Sequence, residues 1–140
     1  MLKTLSGVAA TLLVSIPVLA HNVEISDDVA ATFHITPNHN PQTGDKTLAW
    51  FALTRRGGQI IPLSECNCLL NVYRLPRTAD AKPLMQPPLT AIDVEKYQEI
   101  PGAEIIFPQA GAYELEISGT PKGDAQFAPF ELTYSVNVRP

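Results

Sequence analysis

At 140 residues the chain has room for one domain. Its formal net charge of −4, with ten basic and fourteen acidic residues dispersed along it, leaves no basic footprint for nucleic acid. Two cysteines are too few for a disulfide-built scaffold, so the domain must rely on an apolar core.

The first segment stands apart from the rest. Lys3 is followed by an apolar run, TLSGVAATLLVSIPVLA, with small residues at Val18 and Ala20 ahead of His21. A basic start, an apolar stretch and small residues at −3 and −1 predict a cleavable secretory signal over residues 1–20 and a mature domain over 21–140. The run is at the short end for crossing a bilayer of about 30 Å, and Pro17 suits a cleavage site better than an anchor; only an uncleaved signal would hold the chain at a membrane. No cysteine follows the cleavage point for a lipid anchor. The expected destination is the periplasm or the extracellular space. Cleavage removes only Lys3 among charged residues, leaving nine basic against fourteen acidic, a formal charge of −5.

From residue 22 onward, thirteen prolines and eight glycines in the whole chain leave no long helical period. Alternation remains. In FELTYSVNV (130–138), Phe130, Leu132, Tyr134, Val136 and Val138 share one face, with Glu131, Thr133, Ser135 and Asn137 on the other; Tyr113, Leu115 and Ile117 repeat the pattern in 112–118. Period two of this kind marks half-buried strands, and these two are expected to pair antiparallel at the centre of the fold. Weaker strands are predicted over 29–35, 47–54, 66–74 and 103–107, with a short one at 22–25. Turn formers separate them: PNHNPQTG (37–44), RRGG (55–58) and PQAG (108–111). About seven short strands so spaced predict an all-β antiparallel β-sandwich or barrel. The irregular stretch 75–101 carries five prolines. It is expected to cross between sheets or to form a flap, with a short helical turn over Thr90–Gln98 capped by Thr90 or Asp93.

Catalytic signatures are absent from the sequence: no Gly-x-Ser-x-Gly, no phosphate-cradling glycine loop, no His-x-x-x-His. Glu65 and Cys66 are neighbours on an expected strand and would point to opposite faces, so neither can serve the other. The expectation is a protein that is not an enzyme.

Cys66-Asn67-Cys68 is the most specific local feature. On a strand, Cys66, Cys68, Leu70 and Val72 share an apolar face. Two residues of extended chain span roughly 6.6 Å, so a mutual disulfide requires a bulge or turn at Asn67. Three readings stand: buried thiols acting as small hydrophobes, a redox-labile bridge, or two thiolates for Cu(I). Continuation of the face through Leu70 and Val72 favours inert thiols. His21 offers a second chemistry. Cleavage after Ala20 makes it the mature N-terminus, where the amine and its own imidazole can chelate one metal ion, and copper favours nitrogen donors. Asp27, Asp28, His34 and His39 are further candidate ligands, although His34 beside Phe33 can simply pack and His39 in its loop is expected to be solvated. Of Trp50 and Phe51, one is expected in the core and the other on the opposite face of its strand.

The mature His21, the Pro37–Gly44 loop, the LAWFALT strand, Gly57-Gly58 before Ile61-Pro62, and Phe107-Pro-x-x-Gly111-x-Tyr113-x-Leu115 together resemble small periplasmic immunoglobulin-like modules of the YtkA-like and CopC-like group. The resemblance implies an immunoglobulin-like sandwich. In copper-binding members it implies a mature N-terminal histidine, an acidic residue and a further histidine as ligands: here His21, with Asp27 or Asp28, and His34 or His39. Two departures are plain. No methionine-rich loop exists, only Met85 remaining after signal removal, and Cys-x-Cys lies outside the pattern. Two functions follow as expectations: a non-catalytic binding or interaction module for an unidentified protein partner, or a copper-binding or copper-delivery protein.

Overall fold

Alternation in the sequence becomes strands along much of the described chain. A computed structural model describes residues 22–140; the expected signal over 1–20 and the candidate ligand His21 lie outside the described residues. Eight strands follow in order: β1 (Asn22–Ser26), β2 (Val29–Ile35), β3 (Lys46–Arg55), β4 (Cys66–Arg74), β5 (Thr90–Val94), β6 (Tyr97–Ile106), β7 (Gly111–Pro121) and β8 (Phe130–Val138). A 3₁₀ turn over Leu63–Glu65 is the only helical element among the described residues, none of which forms a helix long and apolar enough to cross a membrane.

Two antiparallel sheets result, one ordered β1-β2-β3-β6-β5 and one ordered β4-β7-β8. Stripped of β1, these orders are those of the two sheets of an immunoglobulin constant-type domain, A-B-E-D against C-F-G. The expected sandwich of about seven strands is present, the short strand expected over 22–25 being β1 at the rim, and β5 is the eighth. A second hallmark agrees. The Tyr113 hydroxyl donates to the Gln109 carbonyl at 2.7 Å and accepts from Arg74 Nη1 at 3.0 Å, the tyrosine corner that pins a sandwich edge. Gly111, at φ 136°, supplies the left-handed backbone just before it.

The core lies between the sheets. Phe33, Phe51 and Tyr134 pack with ring centroids 4.5–5.9 Å apart, joining β2, β3 and β8. Tyr113, Leu115 and Ile117 of β7 and Leu132, Tyr134, Val136 of β8 face inward as expected, and the two strands pair residue by residue from Gly111↔Val138 to Gly119↔Phe130. Only β7 is central, however; β8 closes the edge of its sheet and touches β1 and β2. Burial pushes the Tyr134 hydroxyl well above the usual tyrosine range, with the nearby Glu24 carboxylate acting in the same sense, and the neutral hydroxyl donates to the Ala31 carbonyl at 3.0 Å.

The helical turn expected over Thr90–Gln98 does not form. Thr90–Val94 and Tyr97–Ile106 are strands β5 and β6, joined by a tight turn in which Glu95 adopts φ 53°. The residue types explain it. Thr90, Ile92 and Val94 are β-branched and alternate, and Ile92 and Val94 pack on Trp50, Ala52 and Ile100. Asp93 caps no helix; its Oδ1 accepts from the Glu99 amide at 2.8 Å across the hairpin. Pro101 is tolerated within β6 because pairing with β3 stops at Trp50↔Gly102. Residues 75–89 still cross from the small sheet to the large one, as expected of the proline-rich stretch.

Candidate functional site

The histidines come together at the rim where β2 ends. On β2, Val29, Ala31, Phe33 and Ile35 point into the core, so His34 emerges on the outer face of the large sheet. There it sits opposite Trp50 of β3 and stacks on its ring, with centroids 5.3 Å apart and planes at 21°. The chain then turns sharply. Asn38 and His39 both adopt left-handed φ values of 49° and 56°, and the His39 amide donates to the Ile35 carbonyl at 2.8 Å. Asn and His tolerate this region better than most side chains, yet it carries a cost of order 1–2 kcal/mol each. The turn brings the His39 ring edge-on to His34, at 4.6 Å between centroids, and against Phe33 at 5.7 Å. His39 is therefore not the solvated loop residue expected: it is half-buried, and its Nε2 is sealed from solvent. The flanking cleft, of about 160 Å³, is bordered by Asn22, Phe33, Ile35, His39 and residues 135–137 of β8.

Asp27 and Asp28 lie elsewhere. They form the two-residue turn of the β1–β2 hairpin, at its far end from the histidines. Four residues of strand, roughly 13 Å, separate the Ser26↔Val29 pair beside them from the Asn22↔Phe33 pair beside His34. Asp28 is engaged structurally: its Oδ1 accepts from the Ala128 amide at 2.9 Å.

Cys66 and Cys68 lie in the opposite sheet and are joined to each other by a disulfide. The expectation of inert thiols is corrected: among the described residues no cysteine is free. Nor is a bulge needed. The β4–β7 register runs unbroken through Cys66↔Pro121, Asn67↔Thr120 and Cys68↔Gly119, and local contraction of the strand brings the Cα atoms to 5.2 Å. Among the described residues no group of three or more His, Cys, Asp or Glu side chains is arranged to hold a metal ion. His34 and His39 are a pair, and a complete site requires a further donor.

A polar cluster on the outer face of the small sheet escaped the sequence reading. Arg77, in the segment after β4, donates through Nε to Glu114 Oε1 at 2.8 Å and lies 3.4 Å from Glu116 Oε2. Its guanidinium covers the Tyr73 ring at 3.7 Å, and the hydrogen bond to Glu114 raises its pKa further above its ordinary value. Asn71 donates to Glu116 at 3.2 Å and accepts from Gln86 at 2.8 Å. The only trace in the sequence is the spacing of Glu114 and Glu116 on the polar face of β7. Their partners come from β4 and a proline-rich loop, and no local pattern announces them.

No protein family, curated protein or solved structure matches the chain.

Proposed function

We propose that this is an exported, non-catalytic binding protein whose ligand is a copper ion, held by the amine and imidazole of His21 at a mature N-terminus together with His34 and His39. One observation carries the reading: the His34 and His39 rings meet at 4.6 Å beside a cleft that Asn22, the residue following His21, also borders. Asn22 pairs with Phe33, the residue before His34, so the described start of β1 lies beside the histidine pair. Two imidazoles, a third imidazole and an amine form a nitrogen-rich donor set, and such a set binds divalent copper more tightly than the other divalent first-row metals. Asp27 and Asp28 are too distant to share it, and Cys66 and Cys68 belong to the other sheet. The disulfide agrees with export, since such bonds persist in oxidising compartments.

The test is metal binding by protein that begins at His21. Stoichiometric Cu(II), retained through gel filtration and counted by elemental analysis, is the expected result. His34→Ala and His39→Ala should each weaken it on the order of 10–100-fold, and one added residue ahead of His21, which moves the amine, should weaken it comparably. Copper retained unchanged by all three variants, or no copper at all, overturns the reading.

A second reading has its own observation. The rim strand β1 exposes Val23 at 57 % and Ile25 at 73 % on a sheet edge that no other strand among the described residues pairs with, a surface on which a protein partner's strand can add. Copper-free protein that binds a partner through these residues would favour it.

A further inference from the structure

We propose that the Cys66–Cys68 bridge is a thiol–disulfide exchange site, a two-electron acceptor for a dithiol partner that attacks at Cys68. The proposal stands apart from the copper reading and concerns the opposite sheet.

A structural disulfide acts by closing a long loop or tying distant elements. This one does neither. Its halves are two residues apart on one strand, and that strand is already paired with β7 across nine consecutive positions. The loop it closes is about as short as a disulfide can close, so it removes little entropy from the unfolded chain. It sits at one end of a core that runs on through Leu70, Val72, Leu115 and Ile117.

The two cysteines differ in exposure. Cys66 is 4 % exposed, whereas Cys68 is half-buried between exposed Asn67 and Leu69 on β4, the edge strand of its sheet. The seat of Cys66 is made by a missing side chain: a Cβ on Gly119 would stand 2.6 Å from Cys66 Sγ and 2.8 Å from the Phe130 ring. Cys66 thus has a fitted position beside the more exposed, half-buried Cys68, which packs against the edge of the same core. Exchange needs that asymmetry, because one sulfur must be reachable by the attacking thiolate while the other leaves and stays close enough to return.

The balance is simple. A partner thiolate forms a bond to Cys68 Sγ as the Cys66–Cys68 bond breaks, and Cys66 Sγ leaves with the electron pair and takes up a proton. The partner's second thiol then displaces Cys68, which is protonated in turn. The chain gains two thiols, and the partner dithiol becomes a disulfide.

The experiment uses the folded domain in graded ratios of reduced to oxidised dithiothreitol, with thiols counted by alkylation and mass, and folding followed by circular dichroism. Two thiols per chain should appear while the strand signal is unchanged, and partial alkylation should mark Cys68 ahead of Cys66. Thiols that appear only as the fold is lost would overturn the proposal, as would Cys66 reacting first. The Cys66→Ser/Cys68→Ser double variant supplies a second measurement. Its melting temperature should stay within about 5 °C of the parent, and a drop of more than about 10 °C would make the bridge a structural clip instead. In single variants, oxidised glutathione should cap Cys68 in Cys66→Ser at least about tenfold faster than Cys66 in Cys68→Ser; equal rates count against the assignment.

Discussion

The two sheets share one core but treat their outer faces in opposite ways. Outside the large sheet, Trp50, Ala52 and Ile100 are buried, with Leu48, Ile60, Ile92, Val94 and Tyr97 packed against them. Outside the small sheet, β4 and β7 carry Asn71, Tyr73, Glu114 and Glu116, knitted together by Arg77 and Gln86. One face behaves as a second small core and the other as a polar, ion-paired cluster whose Asn71, Tyr73 and Glu116 are themselves buried. The histidine pair belongs to the first: His34 stacks on Trp50, so the candidate ligand is oriented by an apolar layer. An imidazole packed in this way is held for binding at little conformational cost, which a mobile surface histidine would have to meet on each encounter.

The difference predicts a graded response to truncation. The largest effect belongs to the shared core: Leu115→Asp, which buries an unpaired charge at a position with no exposure, should cost on the order of 4–5 kcal/mol and leave little folded protein in urea titrations. Next comes the apolar outer face. Ile100 is fully buried there, and Ile100→Ala should cost about 2–4 kcal/mol, as if it were a core residue. A loss below about 1 kcal/mol would show that this layer is only a crowded surface and would remove the distinction between the two faces.

The same distinction explains what the sequence disclosed. Where one face is core and the other solvent, alternation is clean, and the bounds of β2, β4 and β8 coincide with the spans expected from residue pattern alone. The β5–β6 hairpin is not legible in TAIDVEKYQ because Thr90 and Asp93 both suit helix caps, whereas Ile92, Val94 and Tyr97 face the second apolar layer as strand residues. Trp50 and Phe51 are both buried for the same reason, one in each layer. The candidate site was legible only as residue types. Nothing in the spacing of His34 and His39 shows that two consecutive left-handed residues swing one ring onto the other. Nor does an ideal strand rise reveal that β4 contracts enough to bridge Cys66 and Cys68 without a bulge.

Tyr134 offers an intermediate test, on the inner face. Its hydroxyl is held above the ordinary tyrosine range by burial, so above about pH 10 the unfolded chain releases this proton and the folded chain keeps it. The contribution is complete below the unfolded value and is lost as pH rises toward the folded one, at up to about 1.4 kcal/mol per pH unit. Tyr134→Phe should cost about 1 kcal/mol at neutral pH, from the lost bond to Ala31, and should flatten the alkaline decline measured by denaturant titration at pH 9–11. An unchanged slope would mean that another group governs it.

The smallest effect is expected on the polar face. Arg77 and Glu114 retain 18 % and 21 % side-chain exposure, so their attraction is weakened by solvent and by salt. Arg77→Ala should lower stability least of these variants, part from the ion pair and part from the guanidinium lying on Tyr73. Arg77→Lys separates the parts, since an ammonium keeps the charge but neither the planar stack nor the paired hydrogen bonds. If the stack dominates, both variants lose the same stability, and 1 M salt leaves the difference from the parent unchanged. If the ion pair dominates, Arg77→Lys retains most of it, and the same salt erases the penalty of Arg77→Ala. Ile100→Ala should be indifferent to salt in either case, because removing methylenes from an apolar layer leaves no charge to screen. Stability of the two variants at low and high salt therefore decides whether the faces differ in kind, as ion-paired surface against apolar layer, or only in degree.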